Sequence, residues 1–173
     1  MRMLRSSLLL AGILTATMLV SGCGYSMEPM HPTDVKTVYV SMFTRGKDVY
    51  RRGIEFRLTE AVVKRIQQDT QYRIVDKAKA DTQLTGSLDL IPQRVLSFNP
   101  DTGLPNELEM TLVASFTWVD LRTGKTRVKR TNVRETATYI QASPLNEDFF
   151  QGSEDAVNRL AIKIVEQMEK DDW

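Results

Sequence analysis

Hydrophobic and polar positions alternate most regularly from Glu107 to Asp120. Leu108, Met110, Leu112, Ala114, Phe116 and Trp118 share one face, and Glu109, Thr111, Val113, Ser115 and Thr117 the other. A period of two marks a strand with one buried face, which puts Leu112, Phe116 and Trp118 in the core. Weaker alternation begins at Thr82, with Leu84, Gly86, Leu88 and Leu90 on one side. Gly86 there marks a bulge or a close approach, and Pro92 is expected to end regular pairing or mark an edge. Leu121-Arg122-Thr123-Gly124-Lys125 reads as a hairpin turn. The return strand, Thr126 to Gln141, is polar enough for a sheet edge or a partner-binding surface. Val35 to Phe43 is β-branched and aromatic, a first strand.

Two segments change to helical spacing. From Arg51 to Asp69, Ile54, Leu58, Ala61, Val62 and Ile66 form one stripe. From Asn146 to Lys170 the stripe is Phe149, Ala156, Val157, Leu160, Ala161, Ile164 and Met168. Tyr72 to Val75 is a short apolar run, Asp76 to Asp81 a polar connection, and Asn99 to Pro105 a loop. The predicted order is β-α-β-β-β-α. Its fold class is α+β, with two helices on one face of a mixed, mainly antiparallel four-stranded sheet.

The first residues follow a different rule. Arg2 and Arg5 precede a charge-free run from Leu8 to Val20, then Ser21, Gly22 and Cys23. A basic start, a short apolar run and small residues before a break form a secretory signal, and the run is too short to span a bilayer comfortably. Cys23 directly after them resembles the lipobox of bacterial lipoproteins. That resemblance implies cleavage before Cys23 and acylation of its thiol and new amino group, palmitate among the chains, to give stable anchoring without a spanning helix. Gly24, where an Asp would signal inner-membrane retention in that class, implies the outer membrane. The expected organisation is 1–22 signal peptide, 23–34 lipidated cysteine and linker, and 35–173 a single α+β domain.

Composition narrows the chemistry. The chain has 23 Lys+Arg, 22 Asp+Glu, one Cys and one His. A lone cysteine excludes a disulfide framework. With His31 in the linker, no His/Cys metal cluster and no Ser–His–Asp or Cys–His arrangement is expected. Near-neutral charge gives no case for nucleic acid. Asp76, Asp81 and Asp89 could be imagined as carboxylate partners, but near strand ends they read as solvated. No enzyme and no cofactor beyond a covalent lipid on Cys23 is expected.

Further residues carry a family resemblance. Cys23-Gly24-Tyr25 leads to Val35-Lys36-Thr37-Val38-Tyr39-Val40-Ser41-Met42-Phe43. Gly53-Ile54-Glu55, Leu58-Thr59-Glu60-Ala61, Tyr72-Arg73-Ile74-Val75 and Ala80-Asp81-Thr82-Gln83-Leu84-Thr85-Gly86 follow. Together these resemble the LPS-assembly lipoprotein family LptE, best over the N-terminal two-thirds. Thr44-Arg45-Gly46 departs from the Asn that often follows the first strand's Phe in such families. The resemblance implies an outer-membrane lipoprotein on the periplasmic side that plugs an LptD-like β-barrel, assists its assembly and helps insert lipopolysaccharide. The alternative is a scaffold or adaptor of another envelope machine, built on a TolB- or CsgG-like domain.

Lipopolysaccharide carries phosphates, so local cations matter. Lys125, Arg127 and Lys129 are predicted to share one face of the return strand, with Arg130 on the other. A second cluster, Arg45, Lys47, Arg51 and Arg52, precedes a helix start whose N–H groups can face an anion. The competing reading of the hairpin is a solvated edge whose charges prevent aggregation.

Overall fold

The computed structural model describes residues 34–140 and 147–170. The signal and linker positions, Cys23 and His31 among them, lie outside the described residues. The elements are β1 (Thr37–Val40), β2 (Thr44–Arg45), α1 (Ile54–Asp69), β3 (Arg73–Ile74), a 3-10 turn (Lys77–Lys79), β4 (Thr82–Leu90), β5 (Gln93–Phe98), β6 (Pro105–Asp120), β7 (Thr126–Ile140) and α2 (Glu147–Glu169).

The predicted α+β class and both helices are present, but the sheet differs from the expected four strands. It has seven strand segments. β1 pairs with β3 and β4, and β2 with β4, all parallel. β6 pairs antiparallel with β4, β5 and β7. The sheet is therefore mixed, with three parallel and three antiparallel pairings, rather than four-stranded and mainly antiparallel. β1 and β2 form one interrupted strand along β4, and β4 and β5 one interrupted strand along β6. Pro92 does not end the pairing, because its carbonyl accepts the Thr111 N–H at 3.0 Å and carries the ladder into β5.

β6 is the spine. Met110, Leu112, Ala114, Phe116 and Trp118 are buried as its alternation predicts. In β4, Leu84 and Leu88 are buried but Leu90 is exposed. A register shift between Leu88 and Leu90 pairs Leu90 with Val113, which moves Leu90 to the opposite face. Gly86 is a close-approach point: a Cβ there would lie 2.2 Å from the Phe43 ring. That ring fills the slot left by the missing side chain.

α1 starts at Ile54 rather than at Arg51. Gly53 adopts φ 96°, a left-handed conformation that halts the helix on its N-terminal side. The Glu55 carboxylate reaches back to the Gly53 N–H at 3.0 Å. Ile54, Leu58, Val62 and Ile66 enter the core from α1. Phe149, Ala156, Val157, Leu160, Ala161, Ile164 and Met168 enter it from α2. The ion pair Arg57–Glu154, 2.6 Å long, joins the first turns of α1 to the N-terminal half of α2. Further along, Lys64 and Arg65 line a groove with Ala161 and Ile162, so the helices run side by side in one direction.

Candidate functional site

The β6–β7 hairpin carries the first cation group. It is held by Asp120, whose Oδ1 accepts the N–H groups of Arg122 and Thr123 at 2.9 and 3.1 Å. Its Oδ2 accepts Arg127 Nη2 at 2.8 Å and Arg122 Nη2 at 3.1 Å. The Asp120 side chain is 4% exposed. Arg127 first, then Arg122, hold this carboxyl far below the ordinary carboxylate range despite its burial. The same two guanidiniums reach Asp34, where the chain arrives at β1. The Arg127 guanidinium sits 5.5 Å from the centroid of the Trp118 ring.

This clasp changes the hairpin reading. Lys125, Arg127 and Lys129 do not share one face. β7 has two register shifts against β6: Val119 pairs with Thr126 but Trp118 with Val128, and Phe116 pairs with Arg130 but Ala114 with Val133. Arg127 is the extra residue of the first bulge. The second contains Asn132 at φ 62°. Lys125 lies in the turn before β7, exposed. Lys129 is exposed opposite Thr117. Arg130 is half-buried opposite Phe116, with Nη1 on the Lys129 carbonyl at 3.4 Å. Among the described residues β7 pairs only with β6, so it is the sheet edge that its polarity suggests.

The second cation group follows β2. Arg45, Lys47 and Arg52 are exposed, and Arg51 lies 3.7 Å from the centroid of the Phe149 ring. The helix start beside them already has an acid, because the Glu55 carboxylate is seated on Gly53 N–H. A bound anion would meet like charge there, so free N–H groups at the helix start are not the attraction. Exposed rings are. Tyr50 is 88% exposed, Phe56 and Phe150 about half, and Arg57 lies 5.0 Å from the Phe150 ring centroid. The seating of the Arg51 and Arg57 guanidiniums over the Phe149 and Phe150 rings was not visible in the sequence. It depends on α2 lying beside α1, and no local pattern announces that.

The carboxylates considered for catalysis are occupied or solvated. Asp81 Oδ2 accepts Lys36 N–H, Thr37 N–H and the Thr37 hydroxyl at 3.1, 3.0 and 2.9 Å. Those contacts, the Thr37 hydroxyl foremost, lower its pKa. Asp89 accepts the hydroxyls of Ser87 and Ser115, each at 2.6 Å. Asp76 is exposed.

Among the described residues, no helix is long and apolar enough to cross a membrane. A family model described as "LptE: Lipopolysaccharide-assembly" matches residues 35–171. A search of curated protein sequences finds no match. Similar solved structures include a hypothetical protein from Chlamydia trachomatis, with TM-score 0.55, 10% identity, and coverage of 78% of this chain and 96% of that one. A protein from Xanthomonas campestris gives TM-score 0.54, 12% identity and coverage of 82% and 89%. The rare lipoprotein B from Shewanella oneidensis gives TM-score 0.45, 20% identity and coverage of 77% and 90%.

Proposed function

Because this chain belongs to the LptE lipopolysaccharide-assembly family, we propose that it serves as the non-enzymatic lipoprotein of an outer-membrane lipopolysaccharide-insertion machine. In this reading residues 1–22 are removed, Cys23 carries the acyl anchor, 23–34 is the tether, and 35–173 folds as one domain seated in an LptD-like β-barrel. The observation that carries it is the family match, which spans both helices and the whole sheet.

Lipopolysaccharide needs cations for its phosphates and apolar surface for its chains. The loop after β2 supplies both. Arg45, Lys47 and Arg52 are exposed beside Tyr50, Phe56 and Phe150. The hairpin supplies less, since Arg127 is committed to Asp34 and Asp120 and Arg130 is half-buried, leaving Lys125 and Lys129. We therefore assign the principal lipopolysaccharide contact to the loop that contains Arg45 and Arg52. The whole reading is tested by a mild-detergent pull-down of the native protein with mass spectrometry. Recovery of an LptD-like barrel is expected. Recovery of another secretion or assembly complex without a barrel of that kind would replace it with the adaptor reading.

A further inference from the structure

The clasp at Asp34 has a consequence for the surface around it. Asp34, Asp81 and Asp120 all lie at the end of the sheet where the chain arrives, and all three are consumed by internal partners: Asp34 and Asp120 by Arg122 and Arg127, Asp81 by Lys36, Thr37 and the Thr37 hydroxyl. The cations nearby are not consumed in this way. Lys36, just before β1, and Arg73, the first residue of β3, are neighbours, with Arg73 N–H on the Lys36 carbonyl at 3.0 Å. Lys77 and Lys79 belong to the 3-10 turn that crosses below β1, where Thr37 Oγ1 meets the Lys79 carbonyl at 3.4 Å. Lys125 closes the hairpin, its carbonyl accepting Asp120 N–H at 2.9 Å. All five side chains are exposed, as are Asp76 and Asp34, the latter paired with Arg122 and Arg127. With Arg122 and Arg127 included, seven cations stand here against the four carboxylates Asp34, Asp76, Asp81 and Asp120, which leaves this pole cationic.

We propose that this pole is an electrostatic docking surface for a bilayer carrying anionic phospholipid headgroups, and that it acts as a second attachment beside the acyl anchor. The proposal rests on the reading that Cys23 is the anchor. The residues between Cys23 and Asp34 can span at most about 40 Å, so the anchored bilayer is always within reach of the pole to which the tether leads. A weak surface held that close acts at high effective concentration; the acyl chains already hold the protein on the bilayer, and the pole fixes how the domain is oriented against it. Charge complementarity selects the lipid, since Lys and Arg near an anionic surface are attracted over about one Debye length, roughly 8 Å at physiological ionic strength. The opposite pole does not compete: β6 alone separates the two ends by roughly 50 Å.

The test uses the purified mature lipoprotein in vesicles. Ala78, exposed between Lys77 and Lys79, is changed (Ala78→Cys) and given a fluorophore, and quenching by headgroup-nitroxide lipid is measured. Quenching should be at least about twofold stronger in vesicles with phosphatidylglycerol than in phosphatidylcholine alone, and fall in about 1 M salt, where the Debye length is roughly 3 Å. A Lys77→Glu/Lys79→Glu variant with an unchanged melt should lose the difference. Equal quenching in both lipids, or a variant that behaves as the parent, overturns the proposal. Intact mass reports Cys23 acylation separately. If Cys23 is not acylated, the same label in a Cys23→Ser background, read by vesicle flotation, decides the docking surface while the anchor reading falls.

Discussion

The Asp120 carboxylate and the Arg127 guanidinium meet at 2.8 Å where β6 ends and β7 begins, with the guanidinium against the Trp118 ring. One residue thereby ties the hairpin turn, the core and the arriving chain together, since Arg127 also holds Asp34. Removing Arg127 leaves the buried Asp120 carboxylate with Arg122, about half exposed, as its remaining charged partner. Arg127→Ala should lower the melting temperature clearly, and Arg127→Lys should recover only part, because a point charge cannot bridge two carboxylates as a planar fork does. Lys129→Ala, on an exposed neighbour, should leave the melt unchanged. Equal melts for the Arg127 and Lys129 variants would show that the clasp contributes nothing.

The same cluster fixes the acid limb of stability. Asp120, Asp81 and Asp34 all have folded pKa values below the ordinary 3.8. A lowered folded pKa stabilises the fold fully above the unfolded value and loses that contribution as pH falls through the folded one. Melting temperature should therefore be flat from about pH 7 to about pH 5 and fall steeply below about pH 4. Asp120→Asn should have a lower plateau and a shallower acid fall. A fall as steep as the parent's would place the titration elsewhere.

Core geometry gives two sharper numbers. Trp118 is 1% exposed and its ring centroid lies 5.8 Å from that of Tyr72. Trp118→Ala should cost about 3–5 kcal/mol in chemical denaturation. Gly86→Ala would drive a methyl into the Phe43 ring, at 2.2 Å before relaxation. It should cost about 1–3 kcal/mol, as overpacking does, and pairing it with Phe43→Leu should return part of that. A neutral Gly86→Ala would mean the ring moves freely.

What was legible in the sequence follows from what is buried on one side. β6 and the stripes of α1 and α2 declare themselves because each has one wet face and one dry face. β5 does not: Val95 and Ser97 are half-buried, while Leu96 and Phe98 face out, so apolar content without a dry face, following a proline, reads as loop. β2 and β3, two residues each, exist only through their neighbours' ladders. The bulges at Arg127 and Asn132 are properties of a pairing, and a single strand's spacing cannot contain them. They undo the shared face assigned to Lys125, Arg127 and Lys129. Part of the clasp was readable. Asp120 two and three residues before Arg122 and Thr123 is a local side-chain-to-backbone turn. Its union with Asp34 required the folded chain.

The last prediction separates the two cation groups. If the loop after β2 contacts lipopolysaccharide, then Arg45→Ser/Arg52→Ser should weaken binding by the purified full-length protein in detergent. The difference from the parent should shrink in about 1 M salt, where exposed charges are screened. Lys125→Ser/Lys129→Ser, with Arg127 kept so that the clasp survives, should bind nearly as the parent does. Adding Tyr50→Ser and Phe56→Ser to the loop variant should deepen the loss in a salt-insensitive way, because apolar contact is not screened. This second response distinguishes recognition of an amphiphile from attraction of any anion. Both loop variants change exposed side chains, so their melts should match the parent's. Parent-like binding by the Arg45/Arg52 variant, with loss in the Lys125/Lys129 variant, would return the assignment to the hairpin. Parent-like binding by both would leave neither group in contact with the lipid and the chain's role resting on the barrel.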